Sequence, residues 1–82
     1  MGAEEIDPQG ETPLYEQVAE ILRGRIRSGE IPVGRAIPSR RAIEQEFEVG
    51  EKTALRAVAV LREEGFIRTS QGRGNYVQKR TS

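Results

Sequence analysis

The sequence predicts an α+β fold in which three helices are followed by a two-stranded β-hairpin. Two observations support this prediction. From Leu14 to Glu64, apolar residues recur about every 3.6 residues in three separate stretches, which is the period of amphipathic helices. After Gly65, apolar and polar residues alternate instead, and the segment Gly72-Arg73-Gly74 divides this last stretch into two short strands.

The first helix is predicted to run from Pro13 to about Ser28. Thr12 is a suitable N-cap residue, proline is favoured at the first helical position, and Gly29 ends the pattern. Its apolar face consists of Leu14, Val18, Ile21, Leu22 and Ile26. Three arginines lie on its later turns, and we interpret them as solvated residues that stabilise the helix, not as ligand contacts: Arg23, Arg25 and Arg27.

The segment 29–38 contains two prolines and two glycines, which predict a structured loop. We expect three apolar residues to anchor it in the core: Ile31, Val33 and Ile37. Ser39 is a good N-cap residue for a short second helix from Arg40 to Phe47.

The third helix is predicted from about Glu51 to Glu64, where Gly65 stops it. Its buried stripe consists of Ala54, Ala57, Val58 and Leu61. A hairpin alone is marginally stable, so we expect it to pack on the helices through Phe66, Tyr76 and Val77. Three helices with a short break between the last two, followed by a hairpin, form a winged helix-turn-helix.

Composition limits the classes of function. The chain has 82 residues, the size of one small domain, and contains neither Cys nor His. Disulfides and thiolate metal sites are thus excluded, and the commonest general base is missing. We expect no enzymatic activity, no cofactor and no metal. Because no apolar run approaches a membrane span and the first residues lack a secretory signal, we expect a cytoplasmic protein without a membrane partner.

The formal net charge of zero conceals an asymmetry. Residues 1–12 contain four acidic residues and no basic one, which leaves 13 basic against 9 acidic residues, a net charge of +4, on the remainder. Residues 65–82 contain four basic residues and no acidic one. We interpret residues 1–12 as a flexible acidic arm, 13–79 as the folded domain and 80–82 as a tail. The basic end favours an anionic partner.

In a helix-turn-helix, the second helix of the motif enters the major groove of DNA through its N-terminal end. The third helix of this chain has that position. The N-terminus of the second helix, capped by Ser39, is suited to bind phosphate. Arg73 on the wing is long enough to reach the minor groove or a phosphate. We therefore predict double-stranded DNA as the partner, contacted by Arg35, Ser39, Arg40, Arg41, Gly50, Glu51, Lys52, Thr53, Arg56, Gln71, Gly72 and Arg73.

Four separated motifs resemble the DNA-binding domain of the GntR family of bacterial transcription factors. They are Pro13-Leu14-Tyr15, "SGEIPVGRAIPSRR" at 28–41, "LREEGFI" at 61–67 and "QGRGNYV" at 71–77. The resemblance implies a dimeric cytoplasmic regulator, expected to be a repressor, that binds a short palindromic operator. Family members typically carry a C-terminal effector-binding and dimerisation domain, which we do not expect in this chain because it ends soon after Val77. The chain is then either an isolated domain of a larger regulator or a stand-alone module.

The resemblance assigns roles to three residues. Arg41 matches a DNA-contacting arginine, Thr53 a threonine near the start of the recognition helix, and Gly72 a wing glycine that lets the backbone approach DNA. At other positions the chain departs from the family. Arg40 stands in place of a glutamate, which makes the site more basic, and Gly50 stands in place of a serine or threonine.

Further departures concern Glu51 and Leu55, which replace two arginines of the family pattern. A glutamate near phosphates is repulsive unless it accepts a hydrogen bond from cytosine N4 or pairs with Lys52 or Arg56. Glu48 replaces a turn glycine, which predicts either an altered helix-turn geometry or a cost of about 1 kcal/mol for positive φ.

The alternative function is a winged helix that binds another protein. Its docking surfaces would be the acidic arm and the acidic second helix, with Glu44, Glu46 and Glu48. Under either function, the chain offers no obvious dimer surface. We expect a monomer in dilute solution that pairs only on a palindromic site, or through the first helix and the arm.

Overall fold

The computed structural model describes residues 6–79 and shows three helices and a two-stranded antiparallel sheet in this range. In chain order the elements are α1 (Leu14–Arg27), α2 (Arg40–Phe47), α3 (Glu51–Glu63), β1 (Ile67–Ser70) and β2 (Gly74–Val77). The α+β winged helix-turn-helix predicted from the sequence is confirmed. Within residues 6–79, the helices are too short and too polar to cross a membrane.

The start of α1 differs from the prediction. Thr12 is not the N-cap residue: Pro13 occupies that position, and no side chain caps the helix. Gln17 instead reaches back, accepting a hydrogen bond from the Asp7 amide at 2.7 Å and donating to the carbonyls of Asp7 and Thr12 at 2.8 Å. Residues 6–12 are thereby tied to α1. Residues 1–5 of the predicted arm and the predicted tail 80–82 lie outside the described residues.

The turn between α2 and α3 contains a strained residue. Glu48 follows α2 with φ 56° and ψ 49°, in the left-handed region, and is the one non-glycine residue with positive φ within residues 6–79. Its amide donates to the carbonyl of Glu44 and closes the last turn of α2. The sequence predicted either an altered helix-turn geometry or a positive φ at Glu48. The structure shows the positive φ.

The wing contains more pairing than the sequence predicts. β1 and β2 pair from Ile67 with Val77 to Ser70 with Gly74. Residues 34–37 add a third chain segment, because the amides of Gly34 and Ile37 donate to β2 and Ala36 forms a bridge with Tyr76. The predicted loop therefore borders the sheet.

The segment 29–38 is anchored by fewer residues than expected. Ile37 is buried, with 5% exposure, and Ile31 packs half-buried against the core. Val33 is not an anchor, since it is 62% exposed. Its neighbour Gly34 has φ 90° and donates to the Val77 carbonyl, so the chain turns onto the edge of β2 at this point and leaves the Val33 side chain in solvent.

Every element contributes to one core. Its fully buried side chains include Leu22 of α1, Ile43 of α2, Leu61 of α3, Ile67 of β1 and Val77 of β2. The stripe predicted for α3 is buried throughout, as are Phe66 and Val77 of the wing, whereas Tyr76 is half-buried. The position of α3 and of the wing is therefore set by the same apolar cluster.

The prediction that the arginines of α1 are solvated is wrong for Arg23 and Arg25. The Arg25 side chain is 11% exposed and forms an ion pair with Glu46 of α2. The Arg23 side chain is buried and forms ion pairs with Glu64 at 2.7 Å, Glu20 at 2.5 Å and Glu16 at 2.9 Å. The hydrogen bond to Glu64 raises the pKa of the Arg23 guanidinium more than burial lowers it, so the charge persists. Since Glu64 caps the end of α3, this cluster fastens α1 to α3.

Replacing Glu48 with glycine is expected to raise the free energy of unfolding by about 1 kcal/mol, because glycine adopts positive φ without a Cβ clash. Urea unfolding followed by circular dichroism measures the change. Glu48→Ala is the control, since it removes the same carboxylate and keeps the Cβ atom. A similar gain in both variants would assign the effect to charge and contradict the conformational explanation.

Arg23→Ala is expected to lower the free energy of unfolding by about 1.5 to 3 kcal/mol, the usual contribution of hydrogen bonds to charged groups. The three glutamates are partly exposed and can regain water, which keeps the loss below that of a fully buried pair. Arg68→Ala is the control, because Arg68 is exposed and unpaired among residues 6–79. Equal stability of the two variants would contradict a structural role for Arg23.

Candidate nucleic-acid interface

The N-terminal half of α3 presents a polar face to solvent. Gly50 is the N-cap residue, and Glu51, Lys52, Leu55 and Arg56 are exposed beyond it. The opposite face holds the fully buried alanines of the predicted stripe. Thr53, also predicted to contact DNA, is half-buried between the two faces. α3 thus offers side chains of mixed chemistry within its first two turns.

The N-terminus of α2 lies beside that of α3. The Ser39 hydroxyl oxygen accepts a hydrogen bond from the Ala42 amide at 3.1 Å, as expected of an N-cap, and its proton remains able to donate to an anion. Arg40 approaches Glu51 of α3 at 4.0 Å, which places the two helix starts close together. Backbone amides and exposed cations can together hold phosphate at such a place.

The two adjacent arginines of α2 differ in their partners. Arg40 forms an ion pair with Glu44 one turn along the helix and is half-buried. Arg41 is exposed and forms no ion pair with another residue of the described chain. Of the two predicted contacts, Arg41 is therefore the cation whose charge is available to a ligand, while the charge of Arg40 is largely balanced within the helix.

Arg56 has a neighbour that sequence reasoning missed. Its guanidinium lies over the ring of Tyr15, 4.3 Å from the ring centre. The contact joins α3 to the first turn of α1, and stacking leaves the N–H groups at the edge of the guanidinium free to donate. Nothing in the spacing of the two residues, which are 41 positions apart, indicates this contact.

The wing carries an exposed arginine at its tip. Arg73 lies in the turn between β1 and β2, where Gly72 has φ 73° and Gly74 has φ 111°, and its amide donates to the Ser70 carbonyl at 2.9 Å. Gln71 beside it is exposed. A Cβ atom at Gly72 would meet no other atom of the described residues within 4 Å. Within the domain, glycine is therefore favoured at this position by its positive φ and not by lack of space.

A hydrogen-bonded link between α3 and the wing was also missed. Arg62 donates to the Thr69 hydroxyl at 3.0 Å, and Thr69 donates to the Asn75 side chain at 2.8 Å. The link connects the last turn of α3 to both strands, so the wing tip is held at a defined position relative to α3.

The predicted contacts lie on neighbouring parts of the fold. Arg35 belongs to the segment paired with β2, Ser39 and Arg41 follow at the start of α2, and the Arg40–Glu51 approach leads to α3. Five of the predicted contacts are exposed cations that form no ion pair within residues 6–79: Arg35, Arg41, Lys52, Arg56 and Arg73. Together such cations can neutralise part of a polyanion.

Residues 14–77 match the model of the bacterial regulatory proteins of the gntR family. The chain belongs to this family. It is 37% identical over 70 residues to the mannosyl-D-glycerate transport/metabolism system repressor MngR of Escherichia coli K12, and 32% identical over 75 residues to the repressor YtrA of Bacillus subtilis. These matches cover 85% and 92% of the chain. The chain spans 29% of the length of MngR and 58% of that of YtrA.

Two solved structures resemble this member of the GntR family closely. YtrA from Sulfolobus acidocaldarius, a GntR-family transcription factor, matches with a TM-score of 0.86 at 32% identity, over 96% of the chain and 83% of that structure. AraR(DBD) in complex with operator ORX1 matches with a TM-score of 0.79 at 32% identity, over 87% of the chain and 88% of that structure. The winged helix-turn-helix of this chain is thus the fold of GntR-family DNA-binding domains.

Proposed function

We propose that this GntR-family domain binds double-stranded operator DNA as part of a transcriptional repressor. The N-terminal half of α3 enters the major groove, and Arg73 lies at the minor groove or a flanking phosphate. The proposal rests on the exposed cations of the wing, of segment 34–37 and of the starts of α2 and α3 that form no ion pair within residues 6–79: Arg35, Arg41, Lys52, Arg56 and Arg73. The likeness to AraR(DBD), a domain solved with its operator, supports it.

We assign a different DNA contact to each group of residues. Arg41 and the α2 N-terminus contact phosphate, which fixes the position of the domain on the duplex. Arg56, stacked on Tyr15, donates from the edge of its guanidinium to the backbone beside the groove. Gln71 and Gly72 support Arg73 at the wing tip. The side chains of α3 then meet base edges, where sequence is read.

The alternative of a protein-binding module finds less support in the structure. Its acidic docking surface requires free carboxylates on α2, yet Glu44 forms an ion pair with Arg40 and Glu46 forms one with Arg25. Both carboxylates are therefore balanced by the domain itself. The relatives described above are transcriptional regulators, and we attribute no catalytic activity to the domain.

The domain acts in the cytoplasm and, by our proposal, is a monomer until a palindromic operator brings two copies together. Val33 and Leu55 are the large apolar side chains exposed within residues 6–79. They make too small an apolar area for a stable dimer interface. Sedimentation velocity at micromolar concentration is expected to show a monomer alone and two copies per palindromic duplex. A stable dimer without DNA would contradict the proposal.

Arg41→Ala is expected to weaken binding to duplex DNA of any sequence by about 1.5 to 3 kcal/mol, because a charge-assisted hydrogen bond to phosphate is lost. Arg40→Ala is the matched control. Its loss is expected to stay below about 1 kcal/mol, since Glu44 already balances that charge. Fluorescence anisotropy with a labelled duplex measures both. Equal losses would contradict the division between the two arginines.

Arg73→Ala is expected to lower the slope of log binding constant against log salt by about 1, since one phosphate contact releases about one counterion. Titrations between low and moderate salt on one duplex supply the slopes. Arg68→Ala, on β1 of the same wing, is the control and is expected to keep the slope of the parent chain. Equal slopes for the parent chain and Arg73→Ala would show that Arg73 does not contact phosphate and that the wing tip only connects the two strands.

A further inference from the structure

Two exposed residues of α3 have no part in binding phosphate. Glu51 and Leu55 are four positions apart and therefore share one face of the helix, a single turn from each other. The Glu51 side chain is 64% exposed, and Leu55 is 50% exposed. This Glu51/Leu55 pair places an anion and an apolar group on the half of α3 that enters the groove in the proposed function.

Glu51 is not neutralised by its neighbours. Arg40 comes no nearer than 4.0 Å, and its guanidinium is bound to Glu44. Arg56 is stacked on Tyr15, and Lys52 forms no ion pair within the described part of the chain. The Glu51 carboxylate is thus not held by a close ion pair, on a surface otherwise suited to a polyanion. Contact with phosphate there would be repulsive, so the carboxylate requires a hydrogen-bond donor on the DNA.

We propose that the Glu51/Leu55 pair selects the operator sequence: Glu51 accepts a hydrogen bond from the N4 amino group of a cytosine, and Leu55 packs on the 5-methyl group of a nearby thymine. The inference rests on the proposed function, since it names the bases that the same domain reads.

Cytosine fits Glu51 better than the other bases. In the major groove cytosine presents the N4 donor alone, whereas adenine presents its N6 donor beside the N7 acceptor, which repels a carboxylate. Guanine offers two acceptors and thymine one, so neither can satisfy Glu51. A carboxylate at the start of α3 therefore excludes three of the four bases at the position it meets.

Thymine fits Leu55 because the leucine has no polar atom and the thymine methyl is the apolar group of the major groove. One helical turn advances about 5.4 Å along α3, and base pairs are stacked about 3.4 Å apart. The cytosine and the thymine are therefore expected within two base pairs of each other in each half-site.

A purely structural role for Glu51 makes a different prediction. An acidic residue in the first turn of α3 interacts favourably with the helix dipole. If that were its whole function, Glu51→Ala would alter stability and leave the preference among bases unchanged. Base preference therefore separates the two roles, and affinity alone does not.

The test is selection of bound duplexes from a randomised library by the 82-residue chain and by the variants Glu51→Ala, Leu55→Ala and Lys52→Ala. The parent is expected to enrich a cytosine and a thymine within two base pairs. Glu51→Ala should lose the cytosine alone, at about tenfold in affinity, and Leu55→Ala the thymine alone. Lys52→Ala, the control, should bind every duplex more weakly and keep the motif.

The outcomes separate this inference from the proposed function. An unchanged motif in Glu51→Ala, or adenine in place of cytosine for the parent, would overturn the assignment to Glu51 while DNA binding stands. No enrichment by a folded parent, as shown by circular dichroism, would overturn the proposed function itself.

A second measurement tests Leu55 in the selected duplex. Replacing its thymine with deoxyuridine removes the methyl group and no hydrogen-bonding atom. The parent is expected to lose about fourfold in affinity, the effect of one buried methyl group, and Leu55→Ala to lose nothing further. An equal loss in both proteins would show that Leu55 does not contact the methyl group.

Discussion

One shared apolar core determines where every functional part of this domain lies. The helices and both strands each place a fully buried side chain in it, among them Leu22, Leu61 and Val77. A chain of 82 residues without cysteine has no disulfide to hold a separate wing, and a free hairpin is marginally stable. Packing the hairpin on the same cluster as α3 stabilises it and also fixes the distance from the wing tip to α3. Damage to the core would therefore impair DNA binding without touching a contact residue.

Polar links then refine the orientation that the core provides. The Arg23 cluster fastens α1 to the end of α3, and Arg62 joins the same end of α3 to Thr69 and Asn75 of the wing. Near the middle of α3, Tyr15 lies under Arg56. α3 is thus held to its neighbours at its C-terminal end and its middle, while the exposed face of its first turns carries Glu51, Lys52 and Leu55. Side chains on that face can be replaced without loss of stability. The preference for a DNA sequence can therefore change at these positions.

The sequence predicted what depends on short-range signals. Periodicity and turn residues indicated all five elements, with α2 at its observed bounds, because caps and amphipathic faces are local. Pairings between distant residues were missed: Arg23 with Glu64, and the pairing of segment 34–37 with β2, because Pro32, Gly34 and Pro38 in and around that segment are typical of a loop. Thr12 is not the N-cap of α1, because the helix begins one residue later than predicted and Pro13 is its N-cap residue. The candidate contacts were predicted by their place in the motif, whereas their pairing state, as for Arg40 and Arg41, required the structure.

Pairing state also explains how a chain with no net charge can suit a polyanion. Several acids bind arginines of the domain itself, since Glu16, Glu20 and Glu64 surround Arg23 and Glu44 binds Arg40. Three glutamates and one arginine leave a net charge of −2 at the Arg23 cluster, but this cluster lies at the C-terminal end of α3, about 20 Å along the helix from its start. Arg41, Lys52 and Arg73, which form no ion pair within residues 6–79, lie at the start of α2, the start of α3 and the wing. Interaction with DNA is short-ranged in physiological salt, about 8 Å, so the local count of unpaired charge at the groove decides binding and the total does not.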